Sequence, residues 1–135
     1  MILVDTSVWI EYFGKKKGLY GHELERLIAS DTEIAIADII IMEVLQGIKE
    51  DKVHEEIREL LLVFPLFSCG GLNACIKAAD LYRSSRKRGL TLRRSIDCLV
   101  AVTAIENKLI VFHKDRDFDQ ISKLSPLEVY QIAEK

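Results

Sequence analysis

Short runs of mostly apolar residues, separated by stretches with helical spacing, constrain the fold of this chain more than any other feature. They cover residues 2–4, 33–37, 66–69, 109–112 and 127–132. Strands of a parallel sheet are buried on both faces and therefore show continuous apolar runs. Their alternation with helices predicts an α/β domain with a mainly parallel central sheet and helices on both faces. Since 135 residues are typical of one domain, we expect a single domain over residues 1–135.

The segments between these runs carry residues that typically begin and end helices. Thr6 or Ser7 is predicted to cap the first helix. Asp38 and Ser95 are predicted to cap two later helices, and Asn107 is predicted to end the second of these in a left-handed conformation. The predicted helices after the first span residues 22–30, 39–48, 51–63, 73–87 and 96–106, and a short turn or helix includes Ile121. Residues 127–132 are predicted to form the final edge strand.

The composition excludes several classes of protein. A net charge of −2 argues against a protein that coats nucleic acid through bulk electrostatics, but it is compatible with a basic face around an acidic pocket. No apolar run approaches the roughly 18 residues of a membrane span, and no basic region precedes the first apolar run. The three cysteines lack CxxC spacing, which favours reduced thiols in a cytoplasmic protein over disulfides or a zinc site.

Five acidic residues share a placement next to the predicted strands and helix starts. Asp5 ends the first strand, and Glu43 lies about one turn into the helix after the second strand. Asp97 lies in the first turn of a helix, while Asp115 and Asp117 follow the strand at 109–112. These points face the carboxyl edge of a parallel sheet, where ligands usually bind. We therefore expect these carboxylates to converge, although they are far apart in sequence.

Two interpretations of these acids remain open at this point. Acids at helix starts are favoured by the helix dipole, which accounts for Asp5 or Asp97 taken alone. Glu43 is not at a helix start, and its neighbours are apolar, so a buried Glu43 needs a partner. As a set, converging carboxylates repel one another and indicate a bound cation. Oxygen-only ligands suit Mg²⁺ or Mn²⁺ rather than zinc.

Four segments of the sequence resemble the motifs of PIN-domain ribonucleases, and the short chain resembles the VapC-type toxins of toxin–antitoxin modules. The segments are 3–9 (LVDTSVW), 42–47 (MEVLQG), 96–104 (IDCLVAVTA) and 115–118 (DRDF). The resemblance spans nearly the whole chain, and the acidic blocks follow the order of the family. The first and last segments are the most specific. The resemblance implies that residues 1–135 form a PIN domain.

The resemblance also implies which residues form the site. The implied metal ligands and catalytic acids are Asp5, Glu43, Asp97 and Asp115, with Asp117 as an alternative or additional acid. Thr6 or Ser7 matches the hydroxyl that supports the site beside the first acid. His113 is a departure, because many members of the family carry Thr or Ser at this position. This departure leaves the set of acids complete.

A nucleic-acid substrate also requires cations near the acidic pocket. Six Arg or Lys residues lie between positions 83 and 94, and Arg116 lies between the last two acids. Runs of charge are usually solvated surface, but beside the proposed site Arg93, Arg94 and Arg116 are predicted to contact RNA phosphates. A second role for Arg94 is to pair with a carboxylate of the site when metal is absent.

The function implied by the resemblance is a Mg²⁺- or Mn²⁺-dependent endoribonuclease, a hydrolase that acts as the toxin of a toxin–antitoxin module. The resemblance further implies an RNA substrate, a cognate VapB-type antitoxin, a homodimer formed through the early helices, and no membrane association. One alternative is a PIN-like module that binds RNA or protein without nuclease activity. Another is an aspartyl-phosphate phosphatase, which fits poorly because Ser7 stands where such enzymes usually carry a second Asp.

Overall fold

The computed structural model describes residues 1–133, which form one five-stranded sheet and seven helices. The strands are β1 (Ile2–Val4), β2 (Ile34–Ala37), β3 (Leu66–Phe67), β4 (Ile110–Phe112) and β5 (Glu128–Val129). The helices are α1 (Thr6–Phe13), α2 (Leu19–Ala29), α3 (Asp38–Gln46), α4 (Asp51–Leu61), α5 (Leu72–Lys87), α6 (Ser95–Glu106) and α7 (Arg116–Leu124). The strand order is β3-β2-β1-β4-β5, and all neighbouring strands are parallel. The predicted parallel α/β architecture is thus confirmed; positions 134 and 135 of the predicted domain lie outside the described residues.

The central strand, β1, is buried on both of its faces. Successive side chains of a strand point to opposite faces of the sheet, and Ile2, Leu3 and Val4 are all buried. In register, Ile2 lies between Ile34 of β2 and Ile110 of β4. The helices therefore cover the sheet on both sides, as the sequence predicts. The carboxyl ends of β1, β2 and β4 lie at one edge, and this edge carries the candidate site.

Helix α6 runs through the interior of the protein. Its buried residues include Cys98, Val100, Ala101 and Ala104, and they are distributed around the helix rather than along one stripe. The helix packs against α5 and α7. An apolar helix of this kind is stable only when it is covered on several sides. Because α6 is enclosed, the acid in its first turn, Asp97, is also buried.

Two of the predicted helix caps are wrong, because acidic residues bind backbone groups differently from expectation. Asp5, rather than Thr6 or Ser7, caps α1, since its Oδ2 accepts a hydrogen bond from the backbone N–H of Ser7 at 3.1 Å. Asp38 is the first residue of α3 and not its cap. The Oδ1 of Asp38 accepts a bond from the backbone N–H of Cys69 at 2.9 Å. Asp38 therefore connects α3 to the segment after β3.

Helix α6 also begins and ends differently from the prediction. Ser95 is its first residue, and the capping position is occupied by Arg94 in an extended conformation, with φ −139° and ψ 131°. Lys108, rather than Asn107, adopts the left-handed conformation, with φ 54°. Asn107 instead donates from Nδ2 to the carbonyl oxygen of Thr103 at 2.9 Å. The side-chain amide thus closes the last turn, and the left-handed residue follows it.

The elements at the two edges of the sheet differ most in length from the prediction. β3 and β5 each contain 2 residues, although the sequence predicts strands over 66–69 and 127–132. Short edge strands offer few unpaired backbone groups to other chains. Helix α7 contains 9 residues, where the sequence predicts only a short turn or helix around Ile121. This helix packs against β5 and α6, so tertiary contacts extend it.

The cysteines and the helix lengths can be compared with the predictions about disulfides and membrane spans. All three cysteines are free; Cys69 and Cys98 are buried, and Cys75 is exposed. Across residues 1–133, no helix combines the length and the apolar character that crossing a membrane requires. The two buried thiols pack with the apolar core.

Candidate metal centre

Asp5 lies directly after β1, at the point where the central strand meets the site. Its backbone N–H donates to the carbonyl oxygen of Phe112 at 2.9 Å, which joins the ends of β1 and β4. Asp5 is 2% exposed, and its Oδ2 accepts a bond from the hydroxyl of Ser7 at 2.7 Å. Burial raises the pKa of Asp5, the bonds from Ser7 oppose this change, and the charge of Glu43 adds to it.

Glu43 on α3 is held from two sides. The hydroxyl of Thr6 donates to its Oε1 at 2.8 Å, and Nη1 of Arg94 donates to its Oε2 at 3.0 Å. The sequence predicts one supporting hydroxyl, from either Thr6 or Ser7. In the structure both hydroxyls bind carboxylates, but they bind different ones: Ser7 binds Asp5 and Thr6 binds Glu43. The start of α1 therefore positions two acids of the site.

Asp97, in the first turn of α6, is enclosed by the protein, with a side chain that is 1% exposed. Its Oδ1 accepts a bond from Nη2 of Arg94 at 2.9 Å. Its Oδ2 is buried and has no hydrogen-bond partner within residues 1–133. Burial raises the pKa of Asp97 to about 6, against the opposing effect of Arg94. Arg94 therefore satisfies one oxygen of this carboxylate and leaves the other without a donor among the described residues.

Asp115 and Asp117 stand at the start of α7. Asp115 caps this helix, since its Oδ1 accepts a bond from the backbone N–H of Asp117 at 3.3 Å, and it forms an ion pair with Nη2 of Arg93. Asp117 points inward and is buried. Its Oδ2 accepts a bond from the backbone N–H of Arg93 at 3.0 Å, while its Oδ1 has no partner among the described residues.

The carboxylates at this edge fit a divalent metal ion. Asp97, Asp115 and Asp117 each offer an oxygen, and these three oxygens lie within 4.8 Å of one another. Three buried oxygens, one each on Asp5, Asp97 and Asp117, lack a hydrogen-bond partner in the part of the chain that the structure describes. Buried carboxylate oxygens without donors are unfavourable unless a cation neutralises them. A set of oxygen ligands suits a hard divalent ion.

The structure brings the predicted acids together, but not as one equal group. Asp115 and Asp117 both lie within the group of three, so Asp117 adds to Asp115 rather than replacing it. Asp5 and Glu43 lie outside this group and border it. The charge of Asp5 raises the pKa of Asp97, although less than burial does. Glu43 is linked to Asp97 through Arg94.

The three predicted RNA-binding arginines differ in their surroundings. Arg93 and Arg94 form ion pairs with acids of the site, whereas Arg116 is exposed and has no ion pair within residues 1–133. An open depression of about 490 Å³ lies beside the acids. It is lined by Ser7, Arg93, Lys114, Asp115 and Arg116. Basic side chains thus border the acidic site on its solvent side.

Two backbone N–H groups complete the site, and the sequence does not predict them. The N–H of Arg93 donates to Asp117, and the N–H of Lys114 donates to the hydroxyl of Ser7 at 3.1 Å. The second bond continues the chain of contacts from Ser7 to Asp5. Every non-proline residue carries this donor, so no residue type identifies it in advance. The one relevant feature of the sequence is the position of Lys114 just after β4, which indicates that it lies near the end of β1.

Comparison with known proteins places these features in a family context. The PIN domain family matches residues 2–124. Ribonuclease VapC11 of Mycobacterium tuberculosis is 35% identical over 129 residues, which are 95% of this chain and 96% of that protein. FitAcB from Neisseria gonorrhoeae has a TM-score of 0.74 with 19% identity and 97% coverage of both chains. A toxin–antitoxin complex from Klebsiella pneumoniae has a TM-score of 0.71 with 21% identity, and covers 96% of this chain and 100% of that chain.

Proposed function

The chain belongs to the PIN-domain family, and we propose that it is a divalent-metal-dependent endoribonuclease that acts as the toxin of a toxin–antitoxin pair. One observation carries the catalytic part of this proposal. The oxygens of Asp97, Asp115 and Asp117 lie within 4.8 Å of one another, beside a depression bordered by basic residues. The relative with 35% identity over nearly the whole chain is named a ribonuclease, which supports RNA as the substrate.

Mg²⁺ or Mn²⁺ is the proposed ion, because hard divalent cations prefer carboxylate oxygens. The residues proposed to hold it are Asp97, Asp115 and Asp117, with Asp5 and Glu43 completing the acidic site. A divalent ion held by these residues would supply a water of lowered pKa and a positive charge for the phosphate oxygens. The reaction is the hydrolysis of an RNA phosphodiester bond.

The protein's own part in the reaction is to hold these carboxylates in place before the substrate binds. Ser7 fixes Asp5, Thr6 fixes Glu43, and the backbone N–H of Arg93 fixes Asp117. Groups that are already oriented need no reorganisation during the reaction, which is a major source of catalytic power. The exposed Arg116 is proposed to bind a phosphate of the RNA, because no carboxylate among the described residues pairs with it.

Asparagine substitutions at two acids test the catalytic proposal. Asp5→Asn and Asp97→Asn keep the shape of the side chain but remove its negative charge. We expect each variant to lose at least about a hundredfold in RNA cleavage with Mg²⁺ or Mn²⁺, as for other groups that stabilise charge in a transition state. Asp80→Asn is the matched control, because Asp80 is exposed on α5. Wild-type turnover by both site variants would overturn the proposal.

The proposed partners are a cognate VapB-type antitoxin and a second copy of this chain, in the cytoplasm where RNA is abundant. The related structure from Klebsiella pneumoniae is a toxin–antitoxin complex, which supports the antitoxin. Ile10 on α1 and Met42 on α3 are large apolar residues that are more than half exposed, which supports a contact through the early helices. Sedimentation of the chain, alone and with the product of the adjacent upstream reading frame, tests both partners. A single monomeric species in both samples would contradict both.

Neither alternative function gains support from a specific contact. An aspartyl-phosphate enzyme needs an accessible nucleophile, but Asp5 is buried and its Oδ2 accepts two bonds from Ser7. A module that only binds RNA or protein has no need for three converging carboxylates, of which Asp97 and Asp117 each carry a buried oxygen without a partner in residues 1–133. Selection for binding alone would permit these unfavourable charges to be lost. The asparagine variants decide between binding and catalysis.

A further inference from the structure

Arg94 lies across two acidic residues that come from different helices. Its Nη1 donates to Oε2 of Glu43 at 3.0 Å, and its Nη2 donates to Oδ1 of Asp97 at 2.9 Å. The side chains of Glu43 and Asp97 are 8% and 1% exposed, whereas that of Arg94 is 45% exposed. One guanidinium therefore reaches into the acidic site from the solvent side and neutralises two enclosed carboxylates.

The carboxylate of Asp97 also belongs to the group that fits a divalent ion. Its other oxygen, Oδ2, is buried and has no hydrogen-bond partner in residues 1–133. A guanidinium and a divalent ion that share this carboxylate lie only a few ångströms apart. Like charges at such short range repel each other, and partly buried charges are screened less by salt than exposed ones. The two cations therefore compete for the same negative charge.

Arg94 binds both of its carboxylates through its side chain alone, so a change of rotamer is enough to release them. The Arg94 guanidinium is partly solvated and is carried by a flexible stem from the capping position of α6. Arg93 also binds Asp117 through its backbone, whose N–H donates to Oδ2, while its guanidinium pairs with both Asp115 and Asp117. Displacement of Arg94 moves a side chain, whereas displacement of Arg93 from Asp117 moves the chain itself.

We infer that Arg94 is an internal competitor of the divalent ion. In the metal-free protein it neutralises Glu43 and Asp97 and keeps them ordered. When the ion binds, the guanidinium withdraws from Asp97 and becomes available to a phosphate of the substrate. Arg94 thereby lowers the metal affinity of the site when no substrate is bound. The competition rests on the metal-binding part of the proposed function and does not depend on RNA being the substrate.

Mn²⁺ binding to the full chain, measured by titration calorimetry without RNA, tests the competition. For Arg94→Gln we expect the dissociation constant of Mn²⁺ to fall about tenfold, a usual size for coupling between two binding events. Arg116→Gln is the matched control, because it removes the same charge from an exposed residue beside the same acids. Its expected effect is about twofold or less, as for other exposed charges. Equal effects of the two variants, or weaker Mn²⁺ binding by Arg94→Gln, would overturn the inference.

The Tm of thermal unfolding gives a second measurement, because Arg94→Gln should lower it without metal and enlarge its rise with metal. Without Arg94, the metal-free protein keeps Glu43 and Asp97 without their cation, so we expect a lower Tm in EDTA than for the wild type. Saturating Mn²⁺ then raises the Tm of Arg94→Gln by more than that of the wild type, because tighter binding stabilises the folded state further. A smaller rise in the variant would contradict the competition.

Arg94→Lys covers the case in which the glutamine variant does not fold. Lysine keeps the positive charge but lacks the planar fork that spans two carboxylates. We expect this variant to bind Mn²⁺ about threefold more tightly than the wild type, because only part of the coupling is lost. Its dissociation constant should therefore lie between those of the wild type and Arg94→Gln. Wild-type or weaker Mn²⁺ binding by the lysine variant would overturn the inference.

The experiments separate this inference from the proposed function. Mn²⁺ binding with the expected Arg94 effect, but without RNA hydrolysis, supports the competition and contradicts the nuclease. RNA hydrolysis with a Mn²⁺ affinity that is indifferent to Arg94 supports the nuclease and contradicts the competition.

Discussion

The acids of the site fall into two groups with different surroundings, although all of them are carboxylates at one sheet edge. The inner acids are Asp5, Asp97 and Asp117, and each is buried with one oxygen that has no hydrogen-bond partner in residues 1–133. The outer acids are Glu43 and Asp115. Both oxygens of Glu43 accept hydrogen bonds, and Asp115 is partly exposed and pairs with Arg93.

This difference indicates a division of roles. Each inner acid keeps one buried oxygen that no donor in residues 1–133 satisfies, so the inner acids gain most from a divalent ion. Glu43 already accepts a bond at each oxygen, and Asp115 is partly exposed, so the outer acids gain less. The outer acids also hold Arg93 and Arg94 in place at the mouth of the site. Unsatisfied buried oxygens therefore distinguish the inner acids, whereas Glu43 and Asp115 also hold arginines, and Asp115 does so while it offers an oxygen to the group of three.

Asparagine substitutions at Asp115 and Asp117, at the start of α7, give the test of this division with the largest expected effect. Asp117 is an inner acid and Asp115 an outer one, and only two positions separate them. With saturating Mn²⁺, we expect Asp117→Asn to reduce RNA cleavage by about 10²- to 10³-fold, in the range for the loss of a group that stabilises transition-state charge. For Asp115→Asn we expect a loss of about tenfold, as for one hydrogen bond to a charged group.

The metal-free stability of the same two variants supplies the control. Asp117→Asn removes an incompletely neutralised buried charge, so its Tm in EDTA should equal or exceed that of the wild type. Asp115→Asn deprives Arg93 of one of its two carboxylate partners and weakens the cap of α7, so its Tm should fall. Equal losses of activity, or the reverse order of stability, would abolish the distinction between inner and outer acids.

The sequence predicts the architecture well because strands that are buried on both faces consist of continuous apolar residues. The apolar runs at β1, β2 and β4 have no polar alternation, and this pattern distinguishes parallel central strands from half-exposed ones. The helix caps are predicted less well. Asp5 and Thr6 are both good capping residues, and which of them caps α1 depends on tertiary contacts. Thr6 donates to Glu43, a residue 37 positions away.

The sequence also predicts the set of acids, because strand ends and apolar neighbours single them out. It does not predict the division between inner and outer acids. That division depends on how α6 and α7 pack and on where backbone donors fall, such as the N–H of Arg93 that binds Asp117. It predicts that Arg94 pairs with a carboxylate, but not that one guanidinium spans Glu43 and Asp97. These residues meet only when the fold brings α3 and the start of α6 together.

The two hydroxyls at the start of α1 give a smaller test, because one supports an inner acid and the other an outer acid. Ser7 donates to Asp5 and accepts a bond from the N–H of Lys114, whereas Thr6 donates to Glu43. We expect Ser7→Ala to reduce RNA cleavage about tenfold, the value of one hydrogen bond to a charged group. Thr6→Val, which keeps the shape of the side chain, should reduce cleavage only about threefold, since Arg94 still holds Glu43. A larger loss in the threonine variant would reverse the assigned importance of the two acids.

The pH dependence of stability is the smallest effect that separates the inner acids from the rest. Burial raises the pKa of Asp97 from 3.8 to about 6 in the folded protein. Between these two pH values the folded chain holds more protons than the unfolded chain, so the contribution of Asp97 to the free energy of unfolding decreases as the pH rises. Metal-free protein should therefore gain stability from this residue on acidification from pH 7 to pH 5. We expect Asp97→Asn to lack that gain in urea titrations with EDTA, while Asp80→Asn, which changes an exposed acid, retains it. Because an asparagine cannot titrate, identical pH slopes in the wild type and Asp97→Asn would show that Asp97 is neutralised in the folded protein without a metal, and would remove it from the inner acids.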